Sequence, residues 1–463
     1  MSDKNKFQDS FDIEGFWWFP DNPERKVAGI LHHTPSGFNL HLMGTLTDLT
    51  TFQNQFEYEI IHGVSTEGKP ITLYKCITGS YTANLPQYAI SNYNVLMIFQ
   101  GVHFSKKEDI KFSQIHSHLT HFDEWVGVSG FNVDVEQMKK GIFGMTYTQP
   151  QEIKFELDEN FSSSIFFGVS HHFEHVGEKR QEIHQRIVLS IESHKQTSFF
   201  EFQDKLSDIR KFLSFACQKS IHPIDVTCII ESHDDTSKQN SKSRIQIYFQ
   251  QFDMSNTIKE IHSMNMLFTY RDIHENLSHY FKIWFENKSL LEPTYNIYFG
   301  IIDNNHMYLD QEFLQLSHAL ESYHRRTSDQ TEVDQETHRT RINSIITSIP
   351  KEYQEWLKNK LSFSNEISLR TRLGILLEQF PFVLENYDDD KKPFMKFIVD
   401  TRNYLTHYSN NAKENLDDIH KLHKICLRMK LLIEACLFHK LGFEQEKIKL
   451  LIKQSQRIKG LDE

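Results

Sequence analysis

Three side chains suited to phosphodiester chemistry lie within six positions near the C-terminal end of the sequence: Arg402, Asn403 and His407. Histidine has an unperturbed pKa of about 6.5, so it can accept or donate a proton near neutral pH. Arginine carries a fixed charge and a planar fork of donors that fits phosphate oxygens. Together the three residues predict a site that holds a phosphate group and moves a proton beside it.

The surrounding sequence favours this site over the other arginine–histidine pair with similar spacing, Arg25 and His32. Arg25 lies in a turn rich in Pro and Asp that precedes an alternating, strand-like run. Arg402 instead follows an apolar run with helical spacing (residues 394–398) and precedes a Ser-Asn-Asn segment (409–411) that is typical of a helix end. Arg402 and His407 are therefore the better candidates.

The order Arg402-Asn403, three residues, His407 resembles the motif of the HEPN superfamily, helical domains that often act as metal-independent ribonucleases. Two aromatic segments, 15–21 with its Trp-Trp pair and 124–131, resemble the N-terminal domain of ApeA-type proteins. In that family a large N-terminal region precedes a C-terminal HEPN domain. The resemblance covers nearly the whole chain.

This resemblance implies a metal-independent endoribonuclease that acts in anti-phage defence by abortive infection. His407 would act as general base or acid on the ribose 2′-hydroxyl or the leaving 5′-oxygen. Arg402 would hold the scissile phosphate, and Asn403 would orient His407 or the phosphate. The expected products are a 2′,3′-cyclic phosphate and a 5′-hydroxyl, and neither a cofactor nor a metal is expected.

The resemblance also implies partners. We expect a homodimer formed through the HEPN domain, RNA cleaved in single-stranded loops with tRNA as one candidate, and a phage protein as the trigger bound by the N-terminal region. In one ideal helix Asn403 and His407 share a face, but Arg402 lies roughly 140° from His407. Two facing copies of the helix could line one cleft with both residues, so a dimer would resolve this difficulty.

A non-catalytic alternative remains open at this stage. Arg402 could be a salt-bridging arginine and His407 a histidine at a helix end, with no part in catalysis. The HEPN-like bundle would then be a non-catalytic module for dimerisation and RNA binding. In that case the N-terminal region would act by binding a protein.

Length and composition set further bounds. The 463 residues are enough for two or three domains. The five cysteines are scattered, with no Cys-x-x-Cys pair, which favours a reducing compartment. The start has no secretory signal, and no run reaches the roughly 18 apolar residues of a membrane-spanning helix. We therefore expect a cytoplasmic protein that makes no use of a membrane.

Charge is distributed unevenly along the chain. The net charge is −11, with 27 basic and 37 acidic residues in 1–300 but 24 and 25 in 301–463. Residues 421–459 hold ten basic residues and three acidic ones. These basic residues could contact phosphates or could form a solvated helix face, and charge alone does not distinguish the two.

Sequence periodicity predicts an α+β multidomain fold, with a β-rich N-terminal region followed by an all-α helical bundle, which the resemblance implies is a HEPN domain. Alternating and β-branched runs predict strands over most of residues 11–200, followed by a helix from Phe199 to Cys217. The predicted domains are a β-rich N-terminal domain (1–148), a mixed β/α continuation of the sensing region (149–300) and the HEPN domain (301–463). Amphipathic patterns predict helices in the last of these at 311–326, 342–361, 368–380, 393–407, 415–441 and 444–459.

One other cluster could in principle do chemistry, the histidines His116, His118 and His121. Their spacing is similar to the first ligand block of metallo-β-lactamase-fold hydrolases, but Thr120 stands where those enzymes have Asp. No second ligand set follows along the chain. We interpret the three as surface or interface histidines.

Overall fold

The computed structural model describes residues 7, 9–47, 56–84, 88–142, 144–172, 182–233, 240–251, 260–304, 306–385, 391–407 and 414–454. The chain divides into two compact units, Met1–Lys282 and Ile283–Glu463. The first unit contains the strands and the second is helical, which confirms the predicted fold class.

The first unit is built on antiparallel strands. In chain order they are β1 Phe11–Trp18, β2 Val27–Thr34, β3 Gly37–Leu42, β4 Glu57–Ser65, β5 Pro70–Asn84, β6 Tyr88–Gln100, β7 Lys111–Leu119, β8 Phe131–Val133, β9 Met145–Tyr147, β10 Ile153–Glu156, β11 Phe161–His172, β12 Glu182–Ser198, β13 Pro223–His233 and β14 Asn240–Phe249. Within the described ranges, twelve of them form one continuous sheet, and β8 and β9 form a separate pair.

Strands β1 to β6 close into a ring in the order β6-β3-β2-β1-β4-β5, with β5 returning to β6. One edge of β6 pairs with β5 along most of its length. Its other edge pairs first with β3, over residues 91–95, and then with β14, over residues 97–100. Strand β6 therefore joins the ring to the rest of the sheet, which continues in the order β14-β13-β7-β12-β11-β10.

The Trp-Trp pair near the start of the chain belongs to the core of the ring. Trp17 is fully buried, and its indole N–H donates to the carbonyl of Gly29 on β2 at 3.2 Å. Its ring lies so close to Gly63 on β4 that a Cβ there would come within 2.2 Å of it. Trp18 is also buried, with the ammonium of Lys26 4.9 Å from its ring centroid. Both are therefore core aromatics.

Short and long helices complete the first unit: α1 Phe122–Val126, α2 Val135–Met138, α3 Phe199–Cys217 and α4 Tyr270–Ile273. Helix α3 confirms the prediction, and the Ser198 side chain caps it by accepting from the Phe200 amide. Helix α1 buries Trp125 and ends at Gly127, whose positive φ of 63° suits glycine. The 124–131 segment is thus a helix C-terminus with one buried aromatic anchor.

Helix α5, Leu277–Glu286, spans the division between the units, and the second unit continues entirely with helices. They are α6 Lys288–Asp303, α7 Leu309–Thr327, α8 Gln335–Thr347, α9 Lys351–Lys360, α10 Leu369–Gln379, α11 Lys391–His407, α12 Glu414–Asp417, α13 Ile419–Lys440 and α14 Gln445–Gln454. Among the described residues, no helix is long and apolar enough to cross a lipid bilayer.

Three details differ from the sequence-based description. The single helix predicted over 415–441 is divided into α12 and α13, with Asp418 between them. The single helix predicted over 342–361 is wrong, because the chain forms α8 and α9 with a break before Pro350. Proline lacks the amide hydrogen and disfavours a helical conformation in the residue before it. The segment 296–300, after which the sequence analysis divided the chain, lies inside α6.

Candidate functional site

The predicted site residues lie on the last two turns of α11. Helix α11 buries Phe394, Ile398, Thr401 and Leu405, whose spacing forms one continuous face. Asn403 and His407 lie on the exposed side, and His407 is the last residue of the helix. The segment 409–411, predicted to end this helix, lies outside the described residues.

Arg402 lies at the border between the buried and exposed faces, with its side chain 27% exposed. One Nη donates to the side-chain oxygen of Asn403 at 3.3 Å, and the other lies 3.5 Å from the carboxylate of Glu321 on α7. Its Nε is buried and has no hydrogen-bond partner among the described residues. The contact with Asn403 turns the guanidinium toward the face that also carries His407. Within the described ranges, no hydrogen bond or ion pair joins Arg402 to His407.

Glu321 connects Arg402 to a network of alternating charges. Its carboxylate also contacts Arg325, one turn further along α7, at 3.3 Å. Arg325 lies 2.7 Å from Glu366, and Glu366 lies 3.7 Å from Arg372 on α10. Arg402 therefore stands at one end of a network that joins α7, α10 and α11. Such a network restricts the positions that the guanidinium can adopt.

The other end of the network holds a buried histidine. Nδ1 of His324 lies 3.2 Å from Nη1 of Arg372, and both side chains are buried. Arginine can only donate, so Nδ1 must accept and the ring must be neutral. Burial, followed by the nearby charge of Arg372, lowers the pKa of His324 below its ordinary value of 6.5. A fixed positive charge and a neutral histidine therefore face each other inside the bundle.

The family model of ApeA N-terminal domain 1 matches residues 12–284, which is more than half of the chain. The chain belongs to the ApeA family. A second family model, Apea-like HEPN, matches residues 314–447. Comparisons with curated proteins and with solved structures gave no match. The match to the HEPN model includes Arg402, Asn403 and His407, so these residues lie inside the HEPN domain of this ApeA-family protein.

The rival arginine–histidine pair is engaged elsewhere in the structure. Arg25 donates to the carbonyl of Thr47 at 2.9 Å, and His32 lies 2.7 Å from the carboxylate of Asp12 across the β1–β2 pair. The two side chains therefore have separate partners in the ring of strands.

The histidine cluster on β7 is likewise tied to its surroundings. Nε2 of His118 lies 2.9 Å from the carboxylate of Asp123, and His121 adopts a positive φ of 60° just before α1. Over the part of the chain that the structure describes, no group of three or more His, Cys, Asp or Glu side chains is arranged to hold a metal ion.

The basic residues of 421–459 are partly occupied within the ApeA-family chain itself. Arg428 is buried and donates to the carbonyls of Val383 and Glu385, so it is no phosphate contact. Lys449 and Lys453 both contact the Glu385 carboxylate, at 2.6 and 2.5 Å. Of the two possibilities left open for the basic residues, phosphate contacts are therefore disfavoured for these three. Lys459 lies outside the described residues.

Sequence reasoning did not find Glu321 or Glu366. Glu321 looks like any solvent-facing residue of an amphipathic helix, and Glu366 follows a predicted helix–loop junction. Glu321 meets Arg402, and Glu366 meets Arg325 and Arg372, only through tertiary packing of α7, α10 and α11. No spacing rule within one element could have paired Glu321 with Arg402.

Proposed function

We propose that this protein is a metal-independent endoribonuclease of anti-phage defence, with Arg402, Asn403 and His407 as its catalytic residues. The observation that carries the proposal is the exposed end of α11, where Asn403 and His407 share a face and Arg402 is hydrogen-bonded to Asn403. Membership of the ApeA family and the HEPN match support it.

The proposed reaction is an internal transphosphorylation. The ribose 2′-oxygen attacks the adjacent phosphorus and its proton passes to the imidazole of His407. The bond to the 5′-oxygen breaks, and that oxygen receives a proton as it leaves. The products are a 2′,3′-cyclic phosphate and a 5′-hydroxyl. DNA lacks the 2′-hydroxyl and is therefore not cleaved.

Arg402 and Asn403 have the supporting roles. The guanidinium of Arg402 holds the non-bridging oxygens and offsets the charge that develops on them. Asn403 lies between Arg402 and His407 on the helix surface, so its amide can orient either the phosphate or the imidazole. A homodimer in which two copies of α11 face each other supplies two copies of His407, so that one accepts the proton and the other donates one.

The test is cleavage of single-stranded RNA by the purified full chain in the presence of EDTA. We expect cleavage to persist, to fall about 10²–10⁴-fold in His407→Ala and about 10²–10³-fold in Arg402→Ala. His306→Ala and Arg326→Ala serve as matched controls, because both residues are exposed in the same unit and neither belongs to α11. Undiminished cleavage by His407→Ala, or loss of cleavage on chelation, would refute the assignment.

One observation favours the non-catalytic alternative, in which the HEPN domain only dimerises and binds RNA. Arg402 already has a carboxylate partner in Glu321, as a purely structural arginine would. Growth of cells that overexpress the wild type or Arg402→Ala separates the two. Toxicity of the wild type that Arg402→Ala relieves supports the nuclease, and equal growth supports the binding module.

We further propose that the N-terminal unit recognises the trigger, a phage protein, and restrains the nuclease until infection. Membership of the ApeA family supports these separate roles for the N-terminal unit and the nuclease domain. Deleting the HEPN domain should then abolish defence but retain capture of the trigger by the first unit.

A further inference from the structure

Helices α8 and α9 form an arm, residues 333–365, that has no buried residue. Its half-buried apolar residues, among them Ile342, Ile346 and Leu357, recur at helical spacing, so the two helices can turn these residues toward each other. Short helices with so little burial are marginally stable on their own. The arm is therefore a part of the second unit that stands to gain stability from a ligand.

The base of the arm is fixed close to Arg402. The Asn365 side chain accepts from the Val333 amide at 3.1 Å and donates to the Val333 carbonyl at 3.0 Å, which closes the two ends of the arm on each other. The next residue, Glu366, belongs to the ion-pair network. The path from the arm to Arg402 thus runs through Glu366, Arg325 and Glu321, with contacts of 2.7, 3.3 and 3.5 Å.

The arm exposes large aromatic side chains. Tyr353 is 52% exposed, Trp356 59% and Phe363 75%. On α9 the positions of Tyr353, Trp356 and Lys360 fall within an arc of about 60°. Aromatic rings on a solvent-facing stripe mark an interaction surface. Rings with a cation beside them suit a nucleic acid, because bases stack on the rings and phosphates pair with the cation.

The charge of the arm favours an anionic partner. It carries five basic residues against four acidic ones, a net charge of +1 in a chain whose net charge is −11. The basic residues are Arg339, Arg341, Lys351, Lys358 and Lys360. Lys360 lies beside Tyr353 and Trp356 on α9, and lysine is depleted at the centres of protein–protein interfaces, which favours RNA over a second protein as the partner.

We propose that the arm binds single-stranded RNA, with bases stacked on Tyr353 and Trp356 and phosphates near Lys360, and so guides the substrate to the end of α11. This inference rests on the proposed function, because it names the substrate of that site. Single strands are specified because bases held in a duplex cannot splay out onto aromatic rings. Helix α9 is about 15 Å long, enough for a few nucleotides.

The experiment measures binding apart from cleavage. Fluorescence anisotropy of a labelled single-stranded RNA oligonucleotide is recorded with the full chain carrying His407→Ala, alone and with Tyr353→Ala plus Trp356→Ala. Each lost stacking contact should weaken the Kd by about 5-fold or more. Tyr353→Phe plus Trp356→Phe keeps the rings and should restore most of the affinity. Tyr308→Ala removes an even more exposed aromatic outside the arm and should have no effect.

Three outcomes would overturn the inference. They are an unchanged Kd in the double alanine variant, no binding of single-stranded RNA by the His407→Ala parent, and an equal loss of affinity for duplex RNA of the same sequence. A drop in molar mass with unchanged RNA affinity would instead identify the arm as a contact between copies of this chain. Failure of the proposed function is distinguishable, because the wild type would then bind RNA through the arm without cutting it.

Discussion

At the scale of single residues, the central fact is that Arg402 is held from two sides. Asn403 turns the guanidinium toward the exposed face, and Glu321 fixes it against α7. Such support would suit an arginine that binds a substrate phosphate, because the guanidinium must stay in place while negative charge develops on the phosphate oxygens. Glu321 touches no reacting atom in this arrangement, so we regard it as a positioning residue.

Glu321→Gln should therefore lower kcat for RNA cleavage by about 10-fold to 100-fold with a smaller change in KM, since a misplaced binding group has an effect of this order. In an Arg402→Ala background the same substitution should change little, because its partner is already absent. Steady-state kinetics of the two single variants and the double variant provide the measurement. Asp310→Asn, an exposed carboxylate at the other end of α7, is the control. A kcat that stays equal or rises would contradict the positioning role.

His324 gives the unfolding free energy a defined pH dependence. Its pKa in the folded state lies below the ordinary 6.5, so between the two values the unfolded chain binds a proton that the folded chain does not. The contribution of neutral His324 to the free energy of unfolding is complete above pH 6.5 and is lost as the pH falls toward the lowered pKa. His324→Gln, which retains an acceptor for Arg372, should flatten this dependence.

Denaturant unfolding between about pH 5 and pH 7 measures the difference between wild type and His324→Gln. The exposed His318 on the same helix provides the control variant His318→Gln, which should keep the wild-type dependence. If the two substitutions flattened the curve equally, the His324–Arg372 contact would not be its source.

Residue types and spacing were enough to identify the candidate site on α11, but not its surroundings. The run from Phe394 to His407 predicts both a helix and the candidate catalytic residues on it. Glu321 lies far from it along the chain, and only the packing of α7 against α11 brings its carboxylate to Arg402. Contacts of this kind depend on side-chain positions in three dimensions, for which a single sequence carries no local signal.

At the scale of elements, the contact between Trp17 on β1 and Gly63 on β4 fixes the packing inside the ring. A Cβ at Gly63 would come within 2.2 Å of the indole, and a fully buried ring has nowhere to move. Gly63→Ala should therefore destabilise the chain by about 1–3 kcal/mol, the usual effect of overpacking a core.

Gly168→Ala on β11 is the matched control, because a Cβ there would meet only the Arg186 carbonyl, at 3.6 Å. Denaturant unfolding of both variants gives the comparison. In a Trp17→Leu background the effect of Gly63→Ala should shrink, since the clashing ring is gone, and additive effects of the two substitutions would argue against the clash.

Elements were more predictable than their connections. Helix α3 and the strands followed from periodicity, whereas the break between α8 and α9 was missed although Pro350 marks it. The apolar spacing on both sides of Pro350 continues as in one helix, so periodicity alone predicts no break there. Strand alternation also says nothing about which strands pair, so the closure of β5 on β6 could not be foreseen.

At the scale of the whole molecule, the proposal requires two chains. If each cleft combines residues from both copies, impaired Arg402→Ala and His407→Ala chains that are mixed and refolded together should recover part of the activity. A mixed dimer keeps one intact Arg402 and one intact His407 as the base, with water in place of the second His407 as the proton donor. Light scattering should give twice the mass of one chain. Neither recovery nor a dimeric mass would be seen if each chain worked alone.

The two edges of β6 have a consequence for how the protein is made. The edge at residues 97–100 has β14 as its partner, and β14 is translated about 140 residues later. A nascent chain must therefore leave the ribosome with those amide and carbonyl groups open to any other strand in the cell. Partners that are made late slow folding, and until β14 is made this strand edge is a site where aggregation can begin.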